Sequence, residues 1–185
     1  MIFNKEKFIP YGKHKISSAD LYAVLKVLKG NLITQGPKVT EFEKLISNIV
    51  GSKYSVAVNS ATSALHISCL ALGLKQGDIL WTSAITFVAS ANVGMLCGAK
   101  VDFVEIDANT GLMSIDSLRE KLEKASKQNH LPKIVMPVHL AGTSCDMEEI
   151  HNLSKKYGFK IIEDASHAIG GNYKNNKVGS CKFSD

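Results

Sequence analysis

Between Tyr54 and Ile162 short apolar runs with strand character alternate with longer runs of helical period, and small or hydroxylic residues fill the junctions between them. This alternation predicts an α/β fold with a mostly parallel sheet flanked by helices, because parallel neighbours can be joined only by crossovers laid on a sheet face. The strand-to-helix turns of such a fold gather at one edge of the sheet, where ligands bind.

Two helices precede the alternation. Ser17 or Ser18 caps a run with Leu21, Val24, Leu25 and Leu28, and Pro37 opens a second with Phe42, Leu45, Ile46 and Ile49; Gly30 and Gly51 end them. After Gly51, strands are predicted at Tyr54 to Val58, Asp78 to Thr82, Val101 to Ile106, Lys133 to Val138 and Phe159 to Ile162. Helices are predicted between them at Ala61 to Leu72, Val88 to Cys97, Ile115 to Ala125 and Met147 to Tyr157. A short hairpin follows, with its turn at Asn175-Asn176. No repeat or linker interrupts the chain, which divides into an N-terminal helical segment, residues 1–51, and an α/β core, residues 52–185.

The 185 residues, 45% hydrophobic and 21% charged, can bury one sizeable core. No apolar run reaches the roughly 18 residues of a membrane span, and the first residues lack the apolar stretch of a secretory signal, so a cytoplasmic protein without a membrane partner is expected. Cys69, Cys97, Cys145 and Cys181 stand far apart without metal spacing, which argues against zinc and disulfides. The formal charge of +5 is scattered along helix faces rather than gathered with aromatics, which argues against nucleic acid and leaves a phosphorylated small molecule as the natural anionic ligand.

Four junctions carry candidate site residues. In Val58-Asn59-Ser60-Ala61-Thr62-Ser63 a helix begins among small and hydroxylic residues, suiting either a phosphate cradle or an ordinary N-cap. In Ala84-Ile85-Thr86-Phe87-Val88 an aromatic ring stands between small residues, either to stack on a flat ligand or to fill the core. His139 in the third junction reads as a satisfied semi-buried histidine rather than a ligand contact. In Glu163-Asp164-Ala165-Ser166-His167 an acid ends an apolar strand, where it can cap a helix or hold a proton on an aromatic ring nitrogen. Four such contacts in order at one sheet edge favour a phosphorylated aromatic ring, pyridoxal phosphate.

The segments Thr34-Gln35-Gly36-Pro37 with Glu41-Phe42-Glu43, Asn59 to His66, Thr86-Phe87, and Glu163 to Ala168 together resemble the DegT/DnrJ family of nucleotide-sugar aminotransferases, over about Tyr11 to Asp185. Within it the likeness is to enzymes that aminate carbon 4 of a UDP-linked 4-keto-6-deoxy sugar on the route to pseudaminic acid. The resemblance implies the large domain of a fold type I aminotransferase. Ala61 and Thr62 would hold the cofactor phosphate, Phe87 would stack on the ring, Asp164 would pair with the ring nitrogen and His167, where many relatives carry glutamine, would meet the phenolic oxygen. Tyr11, Asn31, Leu32, Ile33, Thr34 and Ser60 would contact the sugar nucleotide, glutamate would be the amino donor, and a homodimer is implied.

The resemblance also implies a cofactor-anchoring lysine beyond Asp185, for which Lys182 is no substitute. The chain is thus expected to be an N-terminal fragment, truncated before that lysine and the smaller C-terminal domain, inactive alone, and prone to aggregate through an open sheet edge. The alternatives are a sugar 3-dehydratase on the same cradle, or a non-catalytic remnant.

Overall fold

The computed structural model describes residues 12–185. Tyr11, implied above as a sugar-nucleotide contact, lies outside them. The chain divides into a smaller unit that ends at Glu41 and a larger unit, Phe42–Asp185.

In the smaller unit α1, Ser18–Leu28, starts from a capping box that settles the choice of cap on Ser17: Asp20 N–H donates to Ser17 Oγ (3.3 Å), and Ser17 N–H donates back to Asp20 Oδ2 (2.7 Å). α2, Pro37–Val50, begins at a proline whose missing N–H costs nothing in a first turn, and the boundary between the units falls within it.

The larger unit is built on four parallel strands: β1 (Ile79–Ser83), β2 (Lys100–Val104), β3 (Ile134–Met136) and β4 (Lys160–Ile161), in the order β2-β1-β3-β4. Helices α3 (Ala61–Ala71) and α4 (Ala89–Leu96) cover one face, and α5 (Ile115–Lys127) and α6 (Met147–Tyr157) the other. Alternate strand residues serve the two faces. Leu80, Ile134, Met136 and Ile162 pack with Leu65, Cys69 and Val93 beneath α3 and α4. Trp81, Val135 and Ile161 pack with Leu118, Leu122, Met147 and Ile150 beneath α5 and α6. The predicted α/β class, parallel sheet and flanking helices are what the structure has. No helix among the described residues is long and apolar enough to cross a membrane.

Three expectations need correction. Tyr54 to Val58 alternates like a strand but is extended chain without a ladder, with Tyr54 75% exposed; no described strand lies beside it to pair with. The runs Lys133 to Val138 and Phe159 to Ile162 overstate the regular ladder because Pro137 has no N–H to give. Pairing resumes past the missing rung, where Asp164 N–H donates to Pro137 O (2.9 Å) and His139 N–H to Asp164 O (3.0 Å). In the hairpin of β5 (Asn172–Tyr173) and β6 (Asn176–Lys177), the turn is Lys174-Asn175, and the positive φ of 51° falls on Lys174.

One glycine sets how closely α4 lies on the sheet. A Cβ at Gly94 would sit 2.8 Å from Cγ2 of the β-branched Val101 and 3.3 Å from Leu80 Cβ, which the strand backbone fixes. Alanine is worth about 1 kcal/mol more than glycine within a helix, but the clash outweighs it. Gly94→Ala is expected to lower the urea midpoint and Gly94→Leu to cost about 1–3 kcal/mol through overpacking; an unchanged or raised midpoint would contradict this packing.

Candidate active site

The carboxyl ends of β1, β3 and β4 share one edge, and between β1 and β3 successive connections leave in opposite directions, since β2 lies on the far side of β1. A crevice forms at such a switch point. The loop after β1 carries Thr86 and Phe87, and the chain beyond β4 carries Glu163, Asp164 and His167.

Asp164 is 5% exposed and held from both sides. Oδ2 accepts from Ser90 Oγ (2.7 Å) in the first turn of α4, while Oδ1 accepts from the Ser166 hydroxyl (2.6 Å) and N–H (3.3 Å). Turns rather than a helix follow it, so the helix-cap reading fails. Among the described residues Asp164 forms no ion pair. Its two oxygens are thus met by hydrogen bonds alone, with no cation beside them among the described residues.

Its neighbour Glu163 turns to the other face. There His139, fully buried, places Nε2 2.8 Å from Glu163 Oε2, and Ser184 Oγ donates to Oε1 (2.5 Å). Burial pushes the Glu163 carboxyl up, but the bonds from His139 and Ser184 outweigh it and hold the group below its ordinary value. For His139, burial disfavours a charged ring, while the Cys145 and Glu163 side chains pull the other way strongly enough to raise it to about 9. One contact resists that pull: the Cys145 N–H meets Nδ1 at 3.3 Å, where a second ring proton would sit. A neutral ring with its proton on Nε2, donated to Glu163, satisfies both neighbours. His139 is therefore a satisfied core histidine, as the sequence favours.

The remaining candidates fall in four places. Ser60 caps α3, its Oγ accepting from Ser63 N–H (3.2 Å), while Ser63 Oγ donates to Asn59 Oδ1 (2.7 Å). Ala61 and Thr62 are exposed in the first turn, where no intrahelical acceptor reaches their N–H groups. Phe87 is 71% exposed, which removes the core alternative. His167 is exposed in a turn, with its carbonyl oxygen near Gly142, whose φ is 90° and where an added Cβ would sit 3.0 Å from that oxygen. Asn31, Leu32, Ile33 and Thr34 are exposed in the smaller unit, and the first three line a mostly apolar cleft of about 340 Å³ there.

Sequence reasoning missed Ser90. Its signal was present: a hydroxyl in the first turn of α4 follows Thr86 of the preceding loop by four residues, and their oxygens lie 2.7 Å apart.

Residues 14–184 match the DegT/DnrJ/EryC1/StrS aminotransferase family. The chain is 42% identical over 172 residues to a UDP-4-amino-4,6-dideoxy-N-acetyl-beta-L-altrosamine transaminase of Campylobacter jejuni, covering 93% of this chain and 44% of that protein. Among solved structures it is similar to Helicobacter pylori PseC, an aminotransferase involved in the biosynthesis of pseudoaminic acid (TM-score 0.84, 32% identity), covering 93% of this chain and 45% of that one. It is also similar to the PLP-form of the putative sugar aminotransferase Spr1654 of Streptococcus pneumoniae (TM-score 0.82, 29% identity), covering 96% of this chain and 47% of that one. The chain thus spans less than half the length of each.

The Glu163 carboxyl, lowered by its partners, gives stability that is complete above its ordinary value of 4.5 and is lost as pH falls through the lowered folded value. Glu163→Gln is expected to cost about 1–3 kcal/mol at neutral pH and to flatten the acid side of a melting-temperature profile taken from about pH 7 down to pH 3. An acid slope identical to the parent's would rule out the coupling.

Proposed function

Because the chain belongs to the DegT/DnrJ/EryC1/StrS aminotransferase family, we propose that it builds most of the cofactor cradle of a pyridoxal phosphate-dependent aminotransferase acting on a nucleotide-linked 4-keto-6-deoxy sugar. The activity is proposed for a polypeptide spanning the relatives' whole length, which would also carry the anchoring lysine. The observation that carries the proposal is Asp164, a buried carboxylate with no cationic partner among the described residues, at the carboxyl edge of a parallel sheet. A protonated pyridine nitrogen would supply the cation that this carboxylate lacks.

The residues present fit that cofactor. When bound, pyridoxal phosphate supplies an electron sink for the bond to the donor's α-hydrogen. Asp164 holds the proton on the ring nitrogen and so keeps the ring cationic. Phe87, exposed beside the edge, offers its face to the ring. The N–H groups of Ala61 and Thr62, at the positive end of α3, receive the phosphate. The exposed imidazole of His167 would serve the phenolic oxygen as a donor, where many relatives carry glutamine.

Ser60, Tyr11 and Asn31, Leu32, Ile33 and Thr34 are proposed as sugar-nucleotide contacts, with a UDP-linked substrate, glutamate as amino donor, a homodimeric cytoplasmic assembly and pseudaminic acid synthesis as the setting. The names of the Campylobacter transaminase and of PseC support this finer reading.

The test is to incubate the full-length protein with glutamate and a UDP-linked 4-keto-6-deoxy sugar, following the amino sugar by mass spectrometry and the cofactor by absorbance. Asp164→Asn keeps the shape and removes the charge; amino transfer is expected to fall about 10²–10³-fold, the scale of losing one preorganised electrostatic contact. An Asp164→Asn protein with the parent's rate and cofactor content would overturn the assignment.

A further inference from the structure

Outside the contacts already assigned, Ser90 is a buried hydroxyl that stands between Thr86 and Asp164. We propose that Ser90 is a positioning residue that locks the ring-nitrogen contact and the ring-face contact to one another, through a hydrogen-bond relay running from Thr86 to Ser90 to Asp164. The proposal rests on the functional reading above and deepens it.

The direction of the relay follows from what each group can give. An ionised carboxylate only accepts, so the proton between Ser90 Oγ and Asp164 Oδ2, 2.7 Å apart, belongs to Ser90. Having donated its one hydrogen there, Ser90 Oγ can only accept from Thr86 Oγ1, also 2.7 Å away. The backbone ties the same residue to the aromatic side of the site, for Ser90 N–H donates to the carbonyl of Phe87 (3.1 Å). Ser90 thus holds Asp164 with its side chain and the Phe87 peptide with its main chain.

The position is rigid. Ser90 has no exposed surface and stands between Ala89 and Val93, which are themselves buried. If the hydroxyl is removed, Oδ2 loses that donor. The second oxygen, held by Ser166 in an exposed turn, has the looser partner. Ser90 is accordingly the contact that fixes the plane of the carboxylate, which must meet an in-plane ring proton. A ring clasped at its nitrogen by Asp164 and on its face by Phe87 then takes its tilt from one buried serine. Thr86 keeps that serine in the donating rotamer.

The test uses the full-length protein and four variants: Ser90→Ala, Ser90→Thr, Thr86→Val and Thr86→Ser. Each is read for its dissociation constant for pyridoxal phosphate, for the visible circular dichroism of the bound cofactor, which reports ring tilt, and for kcat and KM per bound cofactor. Ser90→Ala is expected to weaken cofactor binding and lower kcat by about 10- to 100-fold, the range for a hydrogen bond to a charged group, with both KM values unchanged within about twofold and the dichroic band altered. Thr86→Val should shift the same readouts in the same direction by less. The hydroxyl-retaining Ser90→Thr and Thr86→Ser should restore the band. A residue that merely fills space would leave the band and kcat per bound cofactor alone. A parent protein that binds and transfers normally while Ser90→Ala matches it in band and kcat overturns the relay alone. A parent protein that takes up no cofactor overturns the proposed function and the relay with it.

Discussion

A parallel strand cannot reach its neighbour without crossing a face of the sheet, and this constraint disposes everything else in the larger unit. It places α4 between β1 and β2, α5 between β2 and β3, and α6 between β3 and β4. Both faces are therefore covered, so the strands must be apolar on both sides, as Leu80 and Trp81, or Ile134 and Val135, are. It also sends every carboxyl end to the same edge. The polar residues of the site gather there because the chain has nowhere else to turn, and the apolar core beneath holds them in place.

The strand period then decides what two adjacent acids do. Residues 163 and 164 point to opposite faces, and each face has its own partner. Glu163 meets His139 and Ser184, is compensated, and reads as structural. Asp164 meets Ser90 on one oxygen and, on the other, Ser166 in an exposed turn at the carboxyl edge of the sheet. Identical chemistry one residue apart thus yields a closed internal pair and an open one. Only an open carboxylate has anything left to offer a ligand. Pro137 assists by deleting a rung of the ladder while Asp164 still takes the His139 N–H and gives its own N–H to Pro137 O, so pairing continues past the missing rung.

The helices were the most legible part of the sequence, since caps and period agree. Asp146 caps α6, Gly158 ends it with a φ of 82°, and the interval between them was readable to the residue. Tyr54 to Val58 was misread because alternation records which face a side chain would take, while a strand also needs a neighbour to bond. The site was legible as a set of residue types in order, which is how Asp164, Phe87 and the start of α3 could be named. Its internal wiring was not. Ser90 and Asp164 are separated by 74 residues and brought together only when β1 and β4 join one sheet. Whether Phe87 filled the core or lay open depended on what covered the loop after β1, which no local pattern encodes.

The signs of the two ends of the site narrow the ligand further than either end alone. α3 packs through Leu65 into the same apolar cluster as Ile162, so its amino end and Asp164 belong to one face of the sheet. That end offers N–H donors and the positive pole of a helix, which suits an anion but would serve any phosphate. Asp164 repels anions and stands without a cation among the described residues. A nucleotide or a sugar phosphate answers the first demand and leaves the second unmet, since neither carries a cationic ring at neutral pH. A phosphorylated pyridine would answer both, since it carries an anion at one end and a protonated nitrogen at the other. The two demands come from elements that enter the fold a hundred residues apart, and a ligand with opposite charges at its two ends is what satisfies them together.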